Sequence, residues 1–186
     1  ECSCSDRSAR LARFLSNAQF ADTTLLVGPD RRQFRVARIL LASASGALDA
    51  MLSSGMREGK LEASIEIPDL EPSGMQSILN FAYLGDTEVA TDALVPAFFA
   101  ARKYDVRALR DACLDKINNI DVDAAVSLFD SAACNGDEEL KLAVAACPAF
   151  CPDSIEKALS AASFNALSVL GLKGFLTLSS CNSLTS

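Results

Sequence analysis

Seven cysteines are the most reactive side chains in this 186-residue sequence: Cys2, Cys4, Cys113, Cys134, Cys147, Cys151 and Cys181. Their number is odd, their spacing is irregular, and no secretory signal accompanies them, which implies reduced intracellular thiols rather than a disulfide framework. Cys2, Cys4, Cys147 and Cys151 could be drawn together as a zinc site, yet neither pair has the C-x2-C spacing that such sites use. Cys113, Cys134 and Cys147 fall on apolar helix faces, where cysteine packs as a small hydrophobe. The run Cys147-Pro148-Ala149-Phe150-Cys151 motivates one chemical hypothesis, a thiol-based redox sensor. Histidine is absent altogether, which excludes Ser-His-Asp and Cys-His catalysis and every histidine-bound metal. Gly28 and Gly55 stand alone, with no G-x-x-x-x-G-K-[ST] loop to cradle a phosphate. Carboxylate neighbours such as Glu138 and Glu139 read as a solvated face. The expectation is a chain with no catalytic residue, no metal and no cofactor.

The charge balance narrows the partners. A net charge of −7 argues against a nucleic-acid surface, which needs clustered lysine and arginine to displace counterions from phosphates. Arginines do gather early, at Arg7, Arg10, Arg13, Arg31, Arg32, Arg35 and Arg38, and allow a local basic face. No apolar run reaches the roughly 18 residues of a membrane span, and no signal-peptide h-region opens the chain. Starting at Glu1 rather than Met, the sequence is expected to be a piece of a longer one. The expected location is intracellular, cytoplasmic or nuclear.

The elements that must carry any site follow from periodicity. Leu11, Phe14 and Leu15 recur at i, i+3, i+4, giving a short amphipathic helix over Ser8 to Asn17 that must dock its stripe on its own domain or on a partner. Ala21 to Val27 and Gln33 to Val36 read as strands joined by Gly28-Pro29-Asp30, a hairpin. Ala37 to Ala42 suits a short buried helix, and Ser45 caps a second one bearing Leu48, Met51 and Leu52, with Gly55 ending it. Ser64 to Ile67 alternates with Ile65 and Ile67 inward. Glu71 to Leu84 carries Met75, Ile78, Leu79, Ala82 and Tyr83 as one stripe, closed by Gly85. A further helix runs to Tyr104 with Ala97, Phe98 and Ala101 inward, Pro96 marking its first turn or a kink. Asp105 is expected to cap the next, which bears Val106, Leu109, Cys113 and Ile117.

After Asn118-Asn119 only helices are expected, on the stripes Ala125/Leu128/Phe129/Ala132, Leu140/Ala143/Val144/Cys147 and Ile155/Ala158/Leu159/Ala162. Acidic residues outnumber lysines in this tail. The fold class is α+β: a few short strands capped by five or six helices, followed by an all-helical extension.

Six pieces in a fixed order carry a resemblance: Phe20-Ala21-Asp22-Thr23-Thr24-Leu25-Leu26-Val27-Gly28, Phe34 to Ser43, Met51 to Glu58, Ile65 to Asp69, Phe81 to Asp86, and Ala100 to Tyr104. Together they resemble a BTB/POZ domain of the kind found in cullin-3 adaptor proteins. The resemblance divides the chain into a leading segment with a dimerisation helix (1–19), a BTB/POZ domain (20–118) and a partial BACK-like, or three-box, helical region (119–186). It implies a homodimer in which Leu11, Phe14 and Leu15 of the leading helix cross to the twin. It also places Asp22 and Arg38 at the interface as a buried acid–base pair. The hydrophobe-x-Glu signature of cullin-binding members falls on Met56-Arg57-Glu58, with Tyr83 and Tyr104 at family positions near the same face. Val126, Leu128 and Phe129 stand where the BACK-like region would extend that contact.

Where the family reads His-Lys or His-Arg, this chain has Ala37-Arg38 and loses a polar anchor. No substrate-reading domain is present in the sequence. The implied function is a dimeric substrate adaptor of a cullin-3 RING E3 ubiquitin ligase, binding the cullin-3 N-terminal domain and a substrate protein. The alternative is a BTB self-association scaffold or transcriptional co-regulator that does not bind cullin. Peptide capture without cullin binding would separate the two.

Overall fold

The computed structural model describes residues 4–18, 20–53, 64–150 and 165–174. Its chain forms two compact units, Glu1–Ala112 and Cys113–Ser186.

The first unit opens with helix α1 (Cys4–Asn17), which begins four residues ahead of the expected Ser8 and packs on α4. Strands β1 (Thr23–Val27) and β2 (Arg32–Val36) pair antiparallel, with Leu25 opposite Phe34. Helices α2 (Arg38–Ala44) and α3 (Gly46–Ser53) then form a hairpin that carries the chain to β3 (Ser64–Ile67). Strand β3 lies parallel to β1, so the sheet order is β2-β1-β3. Lying in the middle explains the composition of β1. Leu25, Leu26 and Val27 are consecutive and all buried, because a central strand packs on both faces. In β3 only Ile65 and Ile67 are buried, the alternation of a strand with one covered face.

Helices α4 (Pro72–Leu84) and α5 (Leu94–Lys103) close over the core. Met75, Ile78, Leu79, Leu94, Ala97 and Phe98 are all at most 1% exposed. Gly74 sets how near the two helices come: a Cβ there would collide with the Pro96 carbonyl oxygen. Pro96 itself occupies the first turn of α5, where its missing N–H costs no hydrogen bond. Gly85 ends α4 in the left-handed conformation at φ 70 and returns its N–H to the Phe81 carbonyl. The Leu48 N–H bonds the Ser45 hydroxyl, so Ser45 does cap α3.

Two expectations are corrected. Helix α2 is not buried throughout. Only Leu41 is buried, and Ile39 is 74% exposed. Asp105 is not the cap of α6 (Arg107–Ile117). It sits one residue too early, at φ 49, with its carboxylate 3.4 Å from the Arg107 guanidinium. Gly55, the expected end of α3, lies outside the described residues.

The described residues of the second unit form helices and short connections. In α7 (Val122–Cys134) the residues Ala125, Val126, Leu128, Phe129 and Ala132 are buried; α8 (Glu138–Ala145) packs against it with Leu140 and Val144 buried. Both helices start on aspartate caps. Asp121 accepts the Ala124 N–H and Asp137 the Leu140 N–H. A short helical segment over 169–174 is clasped to α7 through Asp130, which accepts both the N–H and the hydroxyl of Ser168. The expected stripe of Ile155, Ala158, Leu159 and Ala162 lies outside the described residues.

Candidate functional site

The site builds up at the start of α2. Its N-cap residue, Ala37, has no side chain able to accept a hydrogen bond. A helix start leaves backbone N–H groups without intrahelical partners, and here two distant side chains take them. The Tyr83 hydroxyl of α4 accepts the Ala37 N–H at 2.7 Å. The Asp22 carboxylate, one residue ahead of β1, accepts the Arg38 N–H at 2.8 Å. Asp22 is itself held, because its own N–H donates to the Val36 carbonyl at 3.1 Å. An acid at a helix N-terminus is also favoured by the helix dipole.

The expected Asp22–Arg38 pair is therefore present, in a specific form. The Arg38 Nε lies 3.8 Å from Asp22 Oδ2, and the side chains are 20% and 33% exposed. The guanidinium also reaches Thr23 Oγ1 at 3.4 Å. Within one chain the pair is half-buried, anchored to the backbone and still open to solvent. Large apolar side chains bracket it in sequence: Phe20 is 62% exposed and Ile39 74%. The Phe20 ring meets Phe14 of α1 edge to face, with centroids 4.9 Å apart. Leu11, Phe14 and Leu15 are only half-buried, so docking on α4 leaves part of the stripe uncovered.

Tyr83 and Tyr104 stand differently from the expectation of a contact face. They are 3% and 6% exposed, which leaves almost no tyrosine surface for a partner to touch. Burial pushes the Tyr104 hydroxyl up to about 12 and raises that of Tyr83 as well. Beside Tyr104, Lys103 bonds both oxygens of Asp69 and holds that carboxyl below its usual range. Val126, Leu128 and Phe129 are core residues, at most 5% exposed. Met56 and Glu58 lie outside the described residues, between the end of α3 and the start of β3.

Among the cysteines, Cys113 is buried and its thiol pushed up to about 11, Cys147 is buried, and Cys134 is exposed. Cys2, Cys151 and Cys181 lie outside the described residues, as does the side chain of Cys4. Among the described residues no three cysteine, aspartate or glutamate side chains converge as metal ligands. No described helix is long and apolar enough to cross a membrane.

This arrangement can be compared with known proteins. Residues 11–121 match the BTB/POZ domain as a family. The chain belongs to the BTB/POZ family. BTB/POZ domain-containing protein 6-A of Danio rerio is 36% identical over 107 residues, 56% of this chain and 19% of that protein. BTB/POZ domain-containing protein 3 of Homo sapiens is 32% identical over 108 residues, 57% of this chain and 20% of that protein. The human BTB/POZ domain-containing protein 6 matches to the same extent, 32% over 108 residues. The chain thus spans about a fifth of the length of these relatives. BTB/POZ domains are protein–protein interaction modules that commonly self-associate.

Sequence reasoning missed the Tyr83–Ala37 bond and the exposure of Ile39. The first had a signal. A tyrosine on an otherwise apolar helix stripe must find a hydrogen-bond partner for its hydroxyl when it is buried.

Proposed function

We propose that this BTB/POZ chain is a dimeric substrate adaptor of a cullin-3 RING E3 ubiquitin ligase, acting in the cytoplasm or nucleus without catalytic chemistry of its own. Family membership together with Met56-Arg57-Glu58 directly after the α2–α3 hairpin supports this reading. In it, Met56 is an adaptable apolar plug for a groove on the cullin-3 N-terminal domain, and Glu58 restrains the loop or pairs with partner charge. Tyr83 and Tyr104 support the face from beneath, since their own surfaces are buried. The helices after 118 form a partial BACK-like extension of the adaptor. Self-association runs through Leu11, Phe14, Leu15 and the Asp22–Arg38 pair, which a twin would bury further. Once buried, such a pair specifies assembly more than it adds stability, because removing one partner strands a charge at about 3–5 kcal/mol.

Calorimetry against the cullin-3 N-terminal domain tests the proposal. Met56→Ala is expected to cost about 2 kcal/mol, roughly 30-fold in affinity, as for a central interface anchor. Glu58→Ala is expected to weaken binding as well. Unchanged binding by both variants rejects the site, and no binding by the wild-type chain rejects the function. The second reading, a self-association scaffold or transcriptional co-regulator without cullin, is favoured by the burial of both tyrosines. Peptide capture in the absence of cullin binding would establish it.

A further inference from the structure

The early arginines are only partly used by the surfaces described so far. Arg31 pairs with Glu66 at 2.7 Å and Arg38 with Asp22 at 3.8 Å. Arg32 and Arg35 are exposed, and among the described residues neither meets a carboxylate. Arg32 rests over the Phe34 ring, 5.4 Å from its centroid. Strand β2 therefore carries two exposed cations in a chain whose net charge is −7.

Among the described residues that strand is also the edge of its sheet, with β1 as its one neighbour. An edge strand turns alternate N–H and C=O groups outward as a template for another extended chain. Gln33, Phe34 and Arg35 line a groove of about 560 Å³ together with Leu15 of α1 and Leu79 and Leu84 of α4. The volume is in the range of roughly 300–1,000 Å³ found for ligand clefts. Gln76 and Asn80 also border it, bonded to each other at 3.0 Å. The two amides still carry an acceptor and a donor between them for a peptide backbone.

We infer that the β2 edge captures an extended acidic peptide from a partner protein by strand addition. The incoming backbone bonds the outward groups of Arg32–Val36. Its apolar side chains enter the groove beside Leu79 and Leu84, and a carboxylate pairs with Arg35. Backbone pairing supplies affinity and the alternating pockets supply selectivity, as in other sheet-edge recognition. The inference is independent of the cullin proposal, because it uses neither Met56 nor Glu58.

Fluorescence anisotropy on the full chain tests it, with a fluorescein-labelled peptide of alternating leucine and glutamate as the probe. The Leu-Glu peptide is expected to bind and its Leu-Lys counterpart to fail. Arg35→Glu is expected to weaken binding by about tenfold or more, with an unchanged melting profile because the side chain is exposed. A Leu-Glu peptide N-methylated at alternate residues is expected not to bind, since it lacks the donors a ladder needs. Binding that survives N-methylation, binding indifferent to Arg35→Glu, or no binding at all overturns the inference. Equal binding of a short RNA oligonucleotide would reduce the strand to a polyanion surface and overturn it too. So would loss of self-association in Arg35→Glu without peptide binding, which would put a second copy in the groove.

Discussion

The Tyr83 hydroxyl accepts the Ala37 N–H at 2.7 Å in a site closed to solvent, so removing it strands a buried donor. Tyr83→Phe is expected to cost about 1–3 kcal/mol of folding stability, read from the urea midpoint. Asp22 allows its two roles to be separated. Asp22→Asn keeps an acceptor for the Arg38 N–H and is expected to fold nearly as well as the wild type. Asp22→Ala loses the cap and costs about 1 kcal/mol. If the charge matters only for assembly, both variants weaken self-association while only the alanine lowers the midpoint.

Buried titratable groups give a pH signature at the same scale. Tyr104 is raised by burial from 10.0 to about 12, and the Cys113 thiol from 9.0 to about 11. A raised folded value means that the unfolded chain ionises first. Their stabilisation is complete below about pH 9 and is lost as pH climbs through 9–11 for Cys113 and 10–12 for Tyr104. Each group amounts to on the order of 2–3 kcal/mol. Denaturation titrated from pH 8 to pH 12 should show a falling midpoint, and Cys113→Ala should remove the lower part of that fall. A midpoint that stays flat above pH 10 would contradict the burial of both groups.

Among the elements, the packing of α4 on α5 is sensitive to one methyl group. Gly74→Ala forces a Cβ into the Pro96 carbonyl oxygen, and overpacking of this kind costs about 1–3 kcal/mol. Thermal unfolding should register it, whereas alanine at Gly46, which has open space around it, should be nearly neutral or slightly favourable. The helices of the first unit were legible because their stripes recur at i, i+3, i+4 with small or polar residues at the ends. Helix α2 was misread because it lacks such a stripe. The run Ile39-Leu40-Leu41 is apolar on every side, so periodicity gave no way to tell that Ile39 faces out. Helix α1 reaches back to Cys4, beyond the start that its apolar stripe marked.

For the whole molecule, the exposed apolar side chains beside a half-buried ion pair make self-association the behaviour to measure. Phe20→Asp and Ile39→Asp change residues that are 62% and 74% exposed, so the protomer should fold with little change. Sedimentation should nevertheless show the wild type as a dimer and the doubly substituted chain as a monomer. A wild-type protomer that stays single at high concentration would remove the dimer from the proposal.

The amino-acid order alone determined the family, the α+β class and most of the core, because hydrophobic spacing and turn chemistry are local properties that survive in one dimension. It also placed Asp22 and Arg38 together, through a resemblance rather than through spacing. What only the tertiary structure decided was which polar groups meet across long separations. Ala37 is 46 positions from Tyr83, and the end of α2 that they share has no sequence mark of its own. Whether an apolar residue such as Ile39 faces the core or solvent was settled in the same way, by the elements packed around it and not by its neighbours along the chain.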